Sequence, residues 1–358
     1  MIPFLRLTPG EDAPAVTEAI QRVIDRGWFV LGPELEAFEL EFAAVTSARH
    51  AVGVGTGTDA IAIALRTLGI GAGDEVITSP VSAAYSALAI MMVGARPVFA
   101  DIDQQRLTMS PAAAAALVTP KTKALLPVHL YGQPADMPAL MEIAARHHLA
   151  VVEDCCQAHL ATCNGHPVGS FGQAAAYSFY PTKNLGALGD GGAITYNDAR
   201  LASHARRLRN GGQTDRYHHG EFGVNSRLDE MQAAILRARL PLLPGWTAQR
   251  RALARVYRAA LAETSGLTVP PECDAGHVYH LFPVLSTERE PLRDQLKTQG
   301  VETLIHYPVP IPRQPALSSQ QPGDCPVADR VCNEIFSLPL YPALTAAAIE
   351  QVASAITR

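Results

Sequence analysis

Lys183 sits in the run Ser178-Phe-Tyr-Pro-Thr-Lys-Asn-Leu-Gly-Ala-Leu-Gly-Asp-Gly-Gly-Ala-Ile-Thr195, which is poor in charge and rich in glycine. The glycines of 186–192 make that run too flexible for a helix, so it reads as a loop leading into a strand at 193–196. An amine held in such a place loses hydration, its pKa falls, and it becomes a nucleophile toward carbonyls. The competing reading is a surface lysine in an ordinary turn. Some thirty residues earlier, an apolar strand at 150–153 ends on Asp154. Carboxylates at the C-terminal ends of parallel strands face the crevice where α/β proteins bind ligands. A carboxylate bonded to the pyridine nitrogen of pyridoxal phosphate keeps that nitrogen protonated, so the ring can accept electrons. Gln157 is within reach of the phenolic oxygen of the same ring. Read alone, Asp154 fits a helix N-cap equally well; together with Lys183 it fits the cofactor better.

The third element is Gly55-Thr-Gly-Thr-Asp-Ala60, between a strand at 51–54 and a helix with apolar residues at 61, 65 and 68. Backbone amides at a helix N-terminus make a phosphate site. Thr58 offers a hydroxyl there, and Asp59 its amide. The same residues match a dinucleotide fingerprint, G-x-G-x-x-A. That fold needs an acid closing the second strand, whereas Asp74 and Glu75 precede the strand at 76–78. It also leaves Lys183 and Asp154 without roles.

These stretches resemble the DegT/DnrJ/EryC1/StrS family of nucleotide-sugar aminotransferases. The resemblance covers nearly the whole chain: Arg26-Gly-Trp-Phe-Val-Leu-Gly-Pro-Glu-Leu-Glu-Ala-Phe-Glu39 near the start, residues 55–60, 97–103 and 127–133, Glu153-Asp154, Gln157-Ala-His159, residues 178–192, Gly223-Val-Asn-Ser-Arg-Leu-Asp-Glu230, His277-Val-Tyr-His280, His306-Tyr-Pro308 and residues 337–342. It implies a fold-type I aminotransferase, an α/β protein with a mostly parallel sheet flanked by helices in a large domain and a smaller C-terminal α/β domain. It implies Lys183 as the Schiff-base lysine, Asp154 on the ring nitrogen and Gln157 against the phenolic oxygen of pyridoxal 5′-phosphate. Gly57, Thr58, Asp59 and Ser178 surround the phosphate. Asn225 reaches the phosphate of a neighbouring subunit, hence a homodimer with active sites at the interface; a turn asparagine within one subunit is the alternative. Tyr180, His306 and Tyr307 face the sugar or pack against the loop.

The implied reaction carries an amino group from L-glutamate to a nucleotide-linked keto sugar. The motifs are nearest to members acting at C3 of dTDP-3-keto-6-deoxyhexoses, with C4 amination of a 4-keto sugar the alternative. Family members with histidine in place of the lysine act as dehydratases, and Lys183 argues against that. A catalytically silent regulator is the rival from another class. Two departures bear on it: Ala83 stands where an aromatic usually stacks on the cofactor, leaving Tyr85 or another ring to do so, and Pro312 stands where histidine is common.

The sequence has 358 residues, 48% hydrophobic, with a net charge of −5. That length predicts a large domain, 1–240, and a small one, 241–358. The charge gives no reason to expect nucleic acid or an anionic membrane. The six cysteines lack paired spacing and read as reduced cytosolic thiols, and no metal site is expected. The N-terminus lacks a signal-peptide pattern, and the most apolar stretch, 83–93, is too short to cross a bilayer, so a cytoplasmic protein is expected. Strand-like runs at 51–54, 75–78, 97–100, 124–127, 150–153, 175–179 and 193–196 alternate with helical patterns such as 111–117 and 137–145. Residues 237–245, with Pro241 and Pro244, read as a break before the small domain. A helix from 246 to 263 follows, with Arg250, Arg251, Arg255 and Arg258 read as a solvated face. The proline-rich stretch 308–321 reads as a loop at the mouth of the site.

Overall fold

The computed structural model describes residues 1–8, 10–320 and 323–357; the end of the proline-rich stretch, Gln321, lies outside them. Seven strands form the main sheet: β1 His50–Val54, β2 Glu75–Thr78, β3 Arg96–Phe99, β4 Thr122–Leu126, β5 Ala150–Asp154, β6 Ala174–Ser178 and β7 Gly192–Tyr196. Their order is β1-β7-β6-β5-β4-β2-β3. β2 to β6 run parallel, and β7 is antiparallel to both β1 and β6. Every strand expected from the alternation is present, with ends moved by two residues at most.

Successive strand residues feed opposite cores, because side chains alternate across a pleated sheet. Ala51, Leu125, Val151 and Ala175 join one core with helices α2 (Pro33–Val45), α6 (Met137–His147) and α8 (Glu230–Arg239). Val52, Ala124, Val152 and Ala174 join the other with α3 (Gly57–Thr67) and α7 (Ala199–Leu208). Helices α1 (Ala13–Arg26), α4 (Tyr85–Met92) and α5 (Pro111–Ala116) complete this part of the chain. The result is a helix–sheet–helix sandwich whose strands are buried on both faces.

Two of the distant motifs meet at the start of α2. Gly32 at its N-cap has no side chain to satisfy the first amides. Glu230 does so instead: its carboxylate accepts from the amides of Gly32 at 2.9 Å, Glu34 at 2.8 Å and Leu35 at 2.8 Å, and is stabilised by the helix dipole. Glu34 is ringed by Arg22, Arg26 and Arg237 at 2.9, 3.2 and 2.7 Å, and the hydrogen bond from Arg22 leads in lowering its carboxyl to about 2. One turn on, Phe38 is fully buried, with ring centroids 5.4 Å from Phe42 and 5.3 Å from Phe179, the residue that follows β6 into the lysine loop. Phe38→Ala is expected to cost about 3–5 kcal/mol of unfolding free energy in urea denaturation. A loss below about 1 kcal/mol would show that this aromatic cluster does not hold the loop's base in place.

The passage to the C-terminal part differs from the sequence reading. Instead of a break, α8 runs through a 3-10 turn, Leu240–Leu242, into α9, Leu243–Leu261. Pro241 and Pro244 lie in first turns, where a missing N–H costs nothing. Beyond α9 a two-stranded antiparallel sheet, β8 (Phe282–Leu285) with β9 (Ile335–Leu338), supports a further core. Ile2 belongs to this core and pairs with Val301, so the N-terminus packs on the C-terminal part.

The arginines of α9 are not a solvated face. Arg250 is 4% exposed. Arg251 donates to the carbonyls of His277 and Gly276, and Arg258 to that of Pro270; Arg255 alone is exposed. The proline-rich stretch folds as 3-10 turns, Ile311–Arg313 and Pro315–Gln320. Ile311 donates to the Pro80 carbonyl and is buried, so this stretch packs behind the 80–81 turn rather than lining the site. Among the described residues the six cysteines are free thiols, and no helix is long and apolar enough to cross a membrane.

Candidate active site

Lys183 follows β6 on a loop pinned from several sides. Its amide donates to the Tyr180 carbonyl, that of Ala187 to Phe179, and that of Phe179 to Gly191. Arg239, paired with Asp12 at 2.7 Å, donates to the Gly186 carbonyl at 2.6 Å. The glycines are required by close approach: a Cβ on Gly186 would stand 2.5 Å from the Pro181 carbonyl oxygen, and one on Gly192 2.4 Å from that of Thr56. Asn184 ties the loop to the C-terminal part, donating to the Val278 carbonyl at 3.1 Å and meeting His280 Nδ1 at 3.2 Å.

The Lys183 side chain lines a cavity of about 780 Å³ and has no hydrogen-bond partner among the described residues. Burial lowers its pKa, against the opposing effects of Cys156 and Asp154. Asp154 closes β5 and lines the same cavity. Its Oδ1 accepts from the Cys156 amide at 3.1 Å, and its Oδ2 from the Ser86 hydroxyl at 2.8 Å. Glu153, its neighbour, points to the other face of the sheet, where it accepts from the amides of Gly169, Phe171 and Gly172 and meets His129 Nε2 at 3.2 Å. That buried network, beside Cys155, fixes the strand end from behind.

Gly57, Thr58, Gln157, Ser178, Tyr180, His306 and Tyr307 line the cavity with these two residues; Asp59 and Asn225 do not. The amides of Gly57 and Thr58 open α3 and have no acceptor four residues back. Asp59's amide is already given to the N-cap Thr56 Oγ1 at 3.0 Å, and its carboxylate accepts from Ser226 at 2.7 Å. Ser226 also accepts from the Gly55 amide at 2.9 Å, so the 223–230 motif braces this turn through Ser226, while Asn225 is exposed. Gln157 is oriented at both ends: Oε1 accepts from the Tyr131 amide at 2.7 Å and Nε2 donates to Tyr307 Oη at 3.0 Å. Burial raises the Tyr307 hydroxyl to about 12. His306 stacks on Phe4 at 5.6 Å, and burial, then Lys183, lower it to about 4.

The sequence reading missed Ser86, Cys156, Asn184, His280 and Phe4. Asn184 and His280 stand inside the motifs already singled out; Ser86 and Phe4 carry no local signal. At the Ala83 gap both Tyr85, 62% exposed, and Tyr307 line the cavity.

The residues present fit pyridoxal phosphate. An amine without a partner, a doubly hydrogen-bonded carboxylate and a free helix N-terminus share one cavity. Gly57 keeps its entrance clear: a Cβ there would stand 2.8 Å from Ser178 Cβ and 2.9 Å from Cys156 Sγ. Gly57→Ala is expected to weaken cofactor retention on dialysis about tenfold and, because the new methyl must displace Ser178 or Cys156, to lower the melting temperature by a few degrees; unchanged retention would remove this turn from the site.

Comparisons with known proteins identify the family. Residues 11–357 match the model of the DegT/DnrJ/EryC1/StrS aminotransferase family. The dTDP-3-amino-3,4,6-trideoxy-alpha-D-glucose transaminase of Streptomyces venezuelae is 47% identical over 348 residues, covering 96% of this chain and 92% of the relative. The UDP-N-acetyl-3-dehydro-alpha-D-glucosamine 3-aminotransferase of Acidithiobacillus ferrooxidans is 43% identical, covering 96% and 93%. The crystal structure of S. venezuelae DesV in complex with a ketimine intermediate superposes with a TM-score of 0.97 at 46% identity, covering 99% of this chain and 97% of that one. The chain belongs to the DegT/DnrJ/EryC1/StrS aminotransferase family.

Proposed function

We propose that this pyridoxal-phosphate-dependent aminotransferase carries an amino group from L-glutamate to C3 of a dTDP-linked 3-keto-6-deoxyhexose. The observation that carries the reading is the convergence of Lys183 and Asp154, from separate strand ends, on one cavity with the N-terminus of α3 in its wall. When bound, the cofactor supplies a protonated ring that takes up the electron pair left when a C–H bond beside nitrogen breaks. The chain's residues do the rest. Lys183 would hold the aldehyde carbon of the bound cofactor, and its freed amine would carry a proton between the donor Cα and C4′, as base and then acid. Its lowered pKa suits both tasks. Asp154 holds the proton on the ring nitrogen. The Gln157 amide donates toward the phenolic oxygen, and the Gly57 and Thr58 amides with the Thr58 and Ser178 hydroxyls hold the phosphate. Asp59 acts through the turn it braces. Tyr180, His306 and Tyr307 border the space left for the sugar.

Asn225, exposed and outside its own cavity, serves the phosphate of a second copy in a homodimer. Residues up to 240, apart from the N-terminal segment around Ile2 that packs on the C-terminal core, form the cofactor-binding domain, 241–358 the smaller one, and the protein works in the cytoplasm. C3 is favoured over C4 because the S. venezuelae and A. ferrooxidans relatives are both named for a 3-amino group, on dTDP and UDP sugars respectively.

The test is a panel of nucleotide-linked 3-keto and 4-keto sugars with L-glutamate, read by mass shift. Amination of dTDP-3-keto-6-deoxyhexoses is the expected result, and amination of 4-keto sugars alone would overturn the C3 assignment. Sedimentation is expected to give a dimer, and Asn225→Ala to weaken cofactor retention about tenfold. A monomer at full activity would remove the shared site.

A further inference from the structure

A second cavity, of about 550 Å³, adjoins the first across Leu5, Thr182 and Lys183, which line both. Three arginines border it, Arg6, Arg239 and Arg250, against the carboxylates of Glu11 and Asp12. The acids are engaged: Asp12 pairs with Arg239, and Glu11 accepts from Trp246 Nε1 at 2.7 Å. Arg6 is exposed and pairs with no carboxylate among the described residues.

Arg250 is the unusual member. At 4% exposure it is as buried as a core side chain, yet no carboxylate among the described residues meets it. Its Nη1 donates to the carbonyls of Tyr279, His280 and Leu340 at 3.2, 3.3 and 2.9 Å. Its Nε is buried without a partner, and its Nη2 makes no hydrogen bond with the described residues. Burial with no opposing acid lowers its pKa to about 10. A guanidinium has five N–H donors, and a buried charge is costly unless paired. Nε is closed off from solvent, so only Nη2 is open to the cavity; water there could accept from it but would leave the charge uncompensated. A carboxylate does both, through charge-assisted bonds. The residue is also coupled to the reacting amine, since the His280 whose carbonyl it holds meets Asn184, next to Lys183.

We infer that this second cavity receives the side-chain carboxylate of a dicarboxylic amino donor, with Arg250 as its buried anchor and Arg6 at its rim. The donor's side chain lies on this side of Lys183 and the keto sugar occupies the larger cavity, so the two substrates reach the Lys183 end of the larger cavity from different directions. Selectivity for a dicarboxylic donor over one with a short apolar side chain resides in Arg250. The inference rests on the aminotransferase reading above, and its test separates the two.

In the holoenzyme, the L-glutamate concentration that half-bleaches the visible absorbance is expected to rise about 10–100-fold in Arg250→Gln, the loss of a charged hydrogen bond. A rise of about threefold is expected in Arg6→Ala, while the concentration of L-alanine needed stays the same in both. Equal shifts for glutamate and alanine, or none, overturn the inference and leave the aminotransferase reading intact. Binding is read separately by titrating glutarate against the emission of Trp246, in a Trp28→Phe background that leaves one tryptophan. Glutarate is expected to change the emission of wild-type Arg250 protein and not of Arg250→Gln. No response to glutarate, or a response to dTDP instead, also overturns it. Glutarate binding that depends on Arg250, without bleaching by glutamate, would sustain the subsite and sink the aminotransferase reading. Should Arg250→Gln fail to fold, Arg250→Lys keeps a cation and donors for the three carbonyls. Its glutamate requirement is expected to shift less than tenfold, again with no shift for alanine, and Arg6→Ala gives the same comparison without touching the core.

Discussion

A Lys183→Ala protein is expected to purify without the visible absorbance of a lysine-bound coenzyme, to be unresponsive to L-glutamate, and to turn over slower by on the order of 10⁴-fold. No neighbour can take its place. Burial pushes the Cys156 thiol well above its ordinary pKa, so it stays protonated, and holds His159 down to about 3 and His306 to about 4. The imidazoles are therefore neutral, and neither can bind an aldehyde as an amine does. The fold should not suffer, because the amine makes no hydrogen bond that its removal would break. An unchanged melting temperature alongside a colourless protein is the pattern to look for. In the coenzyme-free wild type, the appearance of colour on adding pyridoxal phosphate is expected to rise with pH through a midpoint below an ordinary lysine's, since the neutral amine is the form that binds an aldehyde and burial favours it. A coloured Lys183→Ala protein that glutamate still bleaches would end the assignment. A protein that binds pyridoxal phosphate through Lys183 but never responds to any amino donor would be a silent member of the family.

How much of this was legible in the sequence depends on where each residue's partners lie. Lys183 and Asp154 could be found because their chemistry belongs to their side chains, and their places at strand ends follow from local apolar runs. The strands were legible for the same reason. They are buried on both faces and read as short continuous apolar stretches bounded by glycine and proline. Ser86 was not legible, because nothing near it in the chain shows that its hydroxyl will meet a carboxylate 68 residues later. The arginines of α9 were misread because charge on a helix is usually solvated, and only the fold brings the carbonyls of Tyr279, His280 and Leu340 to Arg250. Pro241 and Pro244 read as breakers because proline ends helices from within. In a first turn it begins them, and the sequence alone does not distinguish the two when helices abut. Composition places the stretch 308–321 at the mouth of the site; Ile311 and Leu317 are buried in a core beside Val81 instead.

Asp154→Asn separates the electronic role of the carboxylate from its structural one. Asparagine has the same shape, and its carbonyl oxygen can still accept from the Cys156 amide or the Ser86 hydroxyl, so the end of β5 should keep its place. What it loses is the negative charge that holds a proton on a ring nitrogen. The variant is therefore expected to retain the cofactor and its colour, since Lys183 and the N-terminus of α3 are untouched, while turnover falls by about 10²–10⁴-fold. Ser86→Ala removes one of the two donors and leaves the charge, so a fall of about tenfold is expected from the loss of one charge-assisted bond. The ordering, with Lys183→Ala colourless, Asp154→Asn coloured but slow, and Ser86→Ala coloured and mildly impaired, is specific to a carboxylate acting on the ring. If Asp154 served only to cap the turn after β5, asparagine would replace it at nearly the wild-type rate. If it held the cavity open, colour and rate would fall together with the melting temperature. Neither pattern is compatible with Asp154 acting through its charge.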